Sequence, residues 1–99
     1  MTVFARIGTW QGSDEELTRW IERSRGQVKP NIQKDPGLRA AYWLVDRGAG
    51  KGLIVTLWES EEAMRASEEA RARRQASTTA TTGATVTTDR YEVVDSLTT

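Results

Sequence analysis

Residues 52–65 read G-L-I-V-T-L-W-E-S-E-E-A-M-R, and the change of pattern inside this stretch decides the fold. Leu53 to Trp58 is a run of β-branched and bulky apolar side chains, the composition of a strand buried on both faces. The period then changes. Ser60 is a good N-cap, and Glu61 and Glu62 follow in a first turn where the helix dipole favours negative charge. A strand over 52–59 therefore feeds directly into a helix, and Trp58 is the last apolar residue of that strand.

Upstream, Gly48-Ala49-Gly50-Lys51-Gly52 reads as a hairpin connection. It lacks the spacing and the following helix of a nucleotide-phosphate loop. The strand it returns, residues 38–47, carries Leu38, Ala40, Tyr42 and Leu44 in one row and Arg39, Ala41, Trp43 and Val45 in the other. Pro36-Gly37 before it is a loop signal. Residues 3–11 (VFARIGTWQ) alternate as a first strand, with Gly8 marking a bulge or a close approach by another group. Ser13-Asp14-Glu15-Glu16 is a capping box. The helix behind it sets Leu17, Trp20, Ile21, Ser24 and Val28 at helical spacing, leaves Arg23 and Arg25 to solvent, and is stopped or kinked at Pro30.

Downstream, the second helix runs from Glu61 to about Ala76, with Glu61–Arg65 and Glu69–Arg73 as i,i+4 pairs. Arg65, Arg71, Arg73 and Arg74 read as a solvated face. The threonine-rich tract 77–88 favours strand over helix, so a loop is expected to about Gly83 and a last strand over 84–94.

The order β-α-β-β-α-β predicts a single α+β domain over residues 1–99 with the ferredoxin-like arrangement: a four-stranded antiparallel sheet with two helices on one face. The other face still carries apolar residues from at least three strands, and no chain remains to cover it. A second copy packing sheet to sheet, a homodimer, is the expected cover.

Composition narrows the chemistry. Fourteen basic and fourteen acidic side chains cancel, which gives no reason to expect nucleic acid or an anionic membrane as partner. The chain has no cysteine and no histidine, so no thiolate nucleophile, imidazole base or imidazole metal ligand is available. No metal site and no cofactor are expected. Without a signal-peptide pattern or an apolar span, a cytoplasmic location is the default expectation.

The sequence resembles antibiotic-biosynthesis monooxygenase-like domains of the dimeric α+β barrel superfamily. Pro36-Gly37, Leu57-Trp58-Glu59-Ser60-Glu61-Glu62-Ala63 and Arg90-Tyr91-Glu92-Val93-Val94 carry the resemblance, which spans nearly the whole chain in element order. It implies a dimer with a cleft in each subunit between sheet and helices. Some members oxidise polycyclic phenols to quinones with O₂, without metal or flavin. In cofactor-free oxygenases of the polyketide type the strand tryptophan, matched here by Trp58, lines the cleft. The asparagine four residues before it is Ile54 here, and the tyrosine six residues after it is Met64.

Alternation puts Ile54 and Thr56 on the face of Trp58, and the resemblance turns that face to the cleft. With Met64 and Trp20 they would line a pocket for a planar aromatic ligand. Plain core packing is the alternative for both tryptophans. Tyr42, from the neighbouring strand, is a candidate donor to a phenolate or enolate oxygen. Arg6, Arg39 and Arg90 lie inside strands, where a buried arginine must find a partner. One of the three could steady an oxyanion; Asp46, Glu59, Asp89 or Glu92 are the simpler partners. Trp58, Tyr42 and Arg39 are thus the catalytic candidates, and Ile54, Thr56, Met64, Arg6 and Trp20 the cleft. Two functions follow: a cofactor-independent oxygenase of an aromatic or polyketide-like substrate, or a non-catalytic small-molecule-binding homodimer, which the apolar Ile54 and Met64 favour. A purely structural dimer would have a filled core.

Overall fold

The switch in the 52–65 stretch folds as its pattern dictates. Strand β3 (Lys51–Trp58) ends on Trp58, and helix α3 (Glu61–Ala66) begins two residues after Glu59. The Ser60 hydroxyl accepts from the Ala63 amide at 3.0 Å, capping the helix. The computed structural model describes residues 3–99. Strands β1 (Val3–Gln11), β2 (Leu38–Asp46) and β4 (Thr85–Val93) complete one antiparallel sheet in the order β2-β3-β1-β4. This is the ferredoxin-like α+β arrangement that the element order predicts.

Register decides what each face carries. Arg6 pairs with Thr56, Gly8 with Ile54, and Trp43 with Ile54 from the other side, so these residues share the helix-covered face. Ala5 pairs with Leu57 and Tyr91, and Tyr42 with Val55, on the reverse face. Among the described residues nothing covers that reverse face, and Tyr42 and Tyr91 are 57% and 54% exposed there. In β2 the register slips between Leu38 and Ala40, so Arg39 is the bulged residue and belongs to neither row.

The first helical arm starts at the expected capping box. The Glu16 amide donates to Ser13 Oγ at 3.1 Å, and the Ser13 amide to Glu16 Oε1 at 2.8 Å. Helix α1 (Asp14–Arg23) widens into a π-helical turn (Ser24–Val28) and continues as α2 (Lys29–Ile32). Pro30 explains the widening: its ring would clash with the carbonyl four residues back, and the π turn, with Lys29 N–H bonded to the Ser24 carbonyl, gives that carbonyl room. The helix is thus neither stopped nor sharply ended at Pro30.

The largest departure from expectation lies at the threonine tract. Residues expected as a loop belong to helix α4 (Glu68–Thr82), while the stop at Gly83, with φ +82°, and the last strand that follows fall as read. Contacts with α1 override the strand propensity of threonine. Arg23, expected in solvent, donates to Thr78 Oγ1 at 2.9 Å and to Ser77 Oγ at 2.7 Å, and Arg19 reaches the Thr82 carbonyl at 3.2 Å. Thr82 bonds back to the Thr78 carbonyl at 2.7 Å, which satisfies its hydroxyl inside the helix. The core beneath is Trp10, Leu17, Trp20 and Ala84, with the Trp10 and Trp20 rings 6.2 Å apart. Among the described residues no helix is long and apolar enough to cross a membrane.

Candidate functional site

Where the helical arms meet the sheet, the packing is incomplete. An inner chamber of about 50 Å³ is enclosed by Trp58, Thr56, Ile54 and Gly8 on the sheet, Trp20 and Ser24 on the first arm, and Arg71, Arg74 and Thr78 on α4. Trp20, Ser24 and Trp43 also line an outer compartment of about 260 Å³ that lies against Ile21, Lys29 and Val45. The two compartments adjoin across these three residues and together make up the candidate cleft, the outer one close to the lower end of ordinary ligand pockets.

Two small residues shape the cleft. A Cβ on Gly8 would stand 3.0 Å from the Ile54 side chain, so the close approach expected there is real. A Cβ on Gly52 would overlap the Trp20 ring, so the missing side chain is what lets Trp20 lie flat on β3.

Arg6 governs the inner end. It is 5% exposed, and its guanidinium lies 5.1 Å from the centroid of the Trp58 ring. Nη1 donates to the Met64 carbonyl at 3.2 Å and to Ser67 Oγ at 2.9 Å, and lies 3.4 Å from Glu68. Both acceptors arise from the break between α3 and α4, where Ser67 bonds back to the Met64 carbonyl at 2.8 Å. Burial pushes the Arg6 pKa down to about 10, against the opposing pull of Glu68, so the group stays charged at neutral pH. The Trp58 indole N–H donates to Thr56 Oγ1 at 3.0 Å, and the Thr56 hydroxyl to the Arg6 carbonyl at 3.3 Å. Trp58 is thereby locked in orientation and offers its face, not its N–H.

Glu68 is the partner that strand-based reasoning did not find. Arg90 grips it through two bonds of 2.8 Å, and Arg71 Nε donates to it at 2.8 Å. These hydrogen bonds, Arg90 first, hold its carboxyl at about 2 despite the opposing cost of burial. Arg74 stands apart. Its Nη2 is 3.8 Å from Asp35 Oδ2, too long for a hydrogen bond, and Asp35 Oδ2 is buried without one. Burial lowers the pKa of Arg74, partly offset by Asp35. Trp43 Nε1 is likewise buried without a partner.

Of the sequence candidates, Trp58, Thr56, Ile54, Arg6 and Trp20 come together around the inner chamber. Met64 is buried, contributes its carbonyl to Arg6, and lines not the inner chamber but a separate surface depression with Phe4 and Glu61. Tyr42 lies on the reverse face of the sheet, because its neighbour Val55 alternates with Thr56. Arg39, displaced by the bulge, is exposed at the rim near Lys29 and Gln33 and does not line the inner chamber. Arg71 and Arg74, expected on a solvated face, line the chamber instead, together with Gln75 and Thr78, which the sequence did not single out. Their spacing of three, four and seven is a helical stripe, of which only Thr78 lies beyond the helix as read.

Among solved structures, a monooxygenase of Streptomyces coelicolor in complex with nanaomycin D superposes with TM-score 0.75 at 17% identity, covering 97% of this chain and 91% of that one. The haem degrader of Mycobacterium tuberculosis, with two haems bound, gives 0.73 at 21% identity, covering 96% and 99%. At such identities the likeness is one of fold. An uncharacterized protein of Mycobacterium tuberculosis strain H37Rv is 37% identical over 67 residues, which is 68% of this chain and 30% of that protein. The chain thus spans under a third of the length of the curated relatives it matches. The family described as antibiotic biosynthesis monooxygenase matches residues 3–79, the segment that carries the Trp58 junction and most of the cleft, and the chain belongs to that family.

Proposed function

We propose that the cleft binds a flat aromatic anion and that the protein oxidises it with O₂, using no metal and no flavin. One observation carries this reading: the aromatic walls of the cleft converge on an inner end where three guanidiniums, Arg6, Arg71 and Arg74, face the cavity. The ligands seen in the structurally similar monooxygenase and haem degrader support a flat ring system as the occupant. A phenol or anthrone-type substrate held there would ionise more readily, because positive charge in a partly dry site favours the anion. The anion passes an electron to O₂, the two radicals join, and the peroxide loses water. One oxygen atom becomes a carbonyl, and the other leaves with two substrate hydrogens. In this reading Trp20 and Trp43 supply the ring faces against the substrate, Arg6 steadies the charge of the group that enters the inner chamber, and Trp58, Ile54 and Thr56 keep that chamber dry.

A second reading is a small-molecule-binding homodimer without catalysis. Ile54 is apolar where the polyketide oxygenases carry a polar group, and the Trp58 N–H is already committed to Thr56, which leaves few donors for chemistry. Either protein is proposed to work as a homodimer in the cytoplasm, with the open sheet face and Tyr42 against a second copy. Oxygen uptake with anthrone and 1-naphthol, chelator present and flavin absent, separates the readings. Saturable, heat-sensitive uptake supports the oxygenase. Absence of uptake, with quenching of tryptophan fluorescence by the same compounds, supports the binder.

A further inference from the structure

We propose that the ligand of the cleft is an aromatic carboxylate, its ring system held in the outer compartment and its carboxylate inserted into the inner chamber against Arg74 and Trp43. This deepens the reading above by naming the anion, and it rests on that reading only for the location of the site.

The two compartments differ in what they admit. A cavity of about 150 Å³ holds one benzene ring. The inner chamber, at about 50 Å³, therefore takes a substituent of a few heavy atoms and no ring. The outer compartment, at about 260 Å³, takes a bicyclic ring system between Trp20 and Trp43.

The polar groups of the inner end are unequally satisfied. Arg6 is bonded to Met64, Ser67 and Glu68, and Arg71 to Glu68, Gln75 and Thr88. Arg74 makes no hydrogen bond among the described residues, and its one ionic neighbour, Asp35, lies 3.8 Å away. Trp43 borders both compartments, and its Nε1 is buried with no acceptor among the described residues. A buried donor left unpaired costs about 1–3 kcal/mol, so an acceptor belongs there. Charge agrees: Arg6, Arg71, Arg90 and Arg74 form ion pairs with only two carboxylates, Glu68 and Asp35. A carboxylate bears two acceptor oxygens on one small planar group. It answers a fork-shaped donor and a single indole N–H together, whereas a neutral phenol supplies one weakly accepting oxygen.

Isothermal titration calorimetry with 2-naphthoate and its neutral isostere 2-naphthamide tests the assignment on the wild type, Arg74→Gln and Trp43→Phe. Naphthoate is expected to bind at least tenfold more tightly than naphthamide. Arg74→Gln should cost naphthoate at least tenfold and leave naphthamide within twofold. Trp43→Phe, which keeps a ring and removes the donor, should weaken naphthoate about threefold or more. Equal affinity for the two probes, equal losses in Arg74→Gln, or no binding of either at millimolar concentration overturns the proposal. The readout involves no turnover. Acid selectivity without phenol oxidation would sink the oxygenase alone, while oxidation of neutral phenols without acid selectivity would sink this inference alone.

Discussion

The guanidinium of Arg6 lies over the ring of Trp58, 5.1 Å from its centroid, while the backbone carbonyl of the same arginine accepts from the hydroxyl that Trp58 holds in place. One residue thus fixes the tryptophan both through its ring and, by way of Thr56, through its edge. Trp58→Phe removes the edge contact and weakens the cation–π attraction. A loss of about 1–2 kcal/mol in chemical denaturation is expected, with the fold intact and affinity for a cleft ligand reduced. Unchanged affinity in a folded variant would remove Trp58 from the site.

Glu68→Gln leaves Arg6 buried without its carboxylate. Breaking a fully buried pair costs about 3–5 kcal/mol; Glu68 is partly exposed, so about 2–3 kcal/mol is expected. The same group sets the acid behaviour. Its carboxyl is held at about 2, below the ordinary 4.5, so its stabilisation is complete above pH 4.5 and lost as pH falls toward 2. Melting temperatures measured down the pH scale should fall through that window in the wild type and fall less in Glu68→Gln.

Gly37 sits at φ +82°, where a Cβ would come 2.5 Å from the Ala63 Cβ, and its carbonyl accepts from the Glu59 amide at 2.9 Å. The Pro-Gly loop and the Trp-Glu-Ser junction, separate motifs in the sequence, are therefore one packed contact. Gly37→Ala strains the backbone and crowds α3, and a loss of about 2 kcal/mol or more is expected in urea unfolding.

Arg23→Ala deletes the bonds to Ser77 and Thr78 that hold the end of α4. Faster amide exchange confined to residues 77–82 is the expected result; protection equal to wild type would mean that the tract is helical without help from α1.

Tyr42→Glu places a charge on the open sheet face, midway along the edge strand β2. If that face joins two copies, light scattering should show the mass fall by half with the circular dichroism spectrum unchanged. A monomeric wild type would refute the proposed dimer.

The sequence made the strands legible because each carries its own alternation, and β1 spans the residues read for it. Ser13 and Ser60 announced their helices through local chemistry that needs no tertiary contact. What stayed hidden depended on partners. Threonines 78 and 82 are helical because Arg19 and Arg23 reach across from another helix, and no window around 77–88 contains that fact. Arg71 and Arg74 lay on the helix as read, but its face toward the sheet carries only small apolar residues, so nothing local distinguished these two arginines from their solvated neighbours Arg65 and Arg73. Arg39 was misplaced by one bulge, which slips the register after Leu38. Tyr42 was assigned a role before its row had been assigned a face.

The π turn at Ser24–Val28 lets the first arm tolerate Pro30 without losing the wall of the cleft. Such a turn is an α-helix carrying a surplus residue, and Gly26 within it touches nothing within 4 Å at its would-be Cβ. The wider turn absorbs the surplus, so the side chains beyond it keep the facing they would have on a regular helix one residue shorter. Val28 and Ile32 therefore still wall the inner chamber, in line with Trp20 upstream. The same arm can thus gain or lose a residue at this turn while the site on the sheet keeps its shape, provided that a shorter version also lacks the proline.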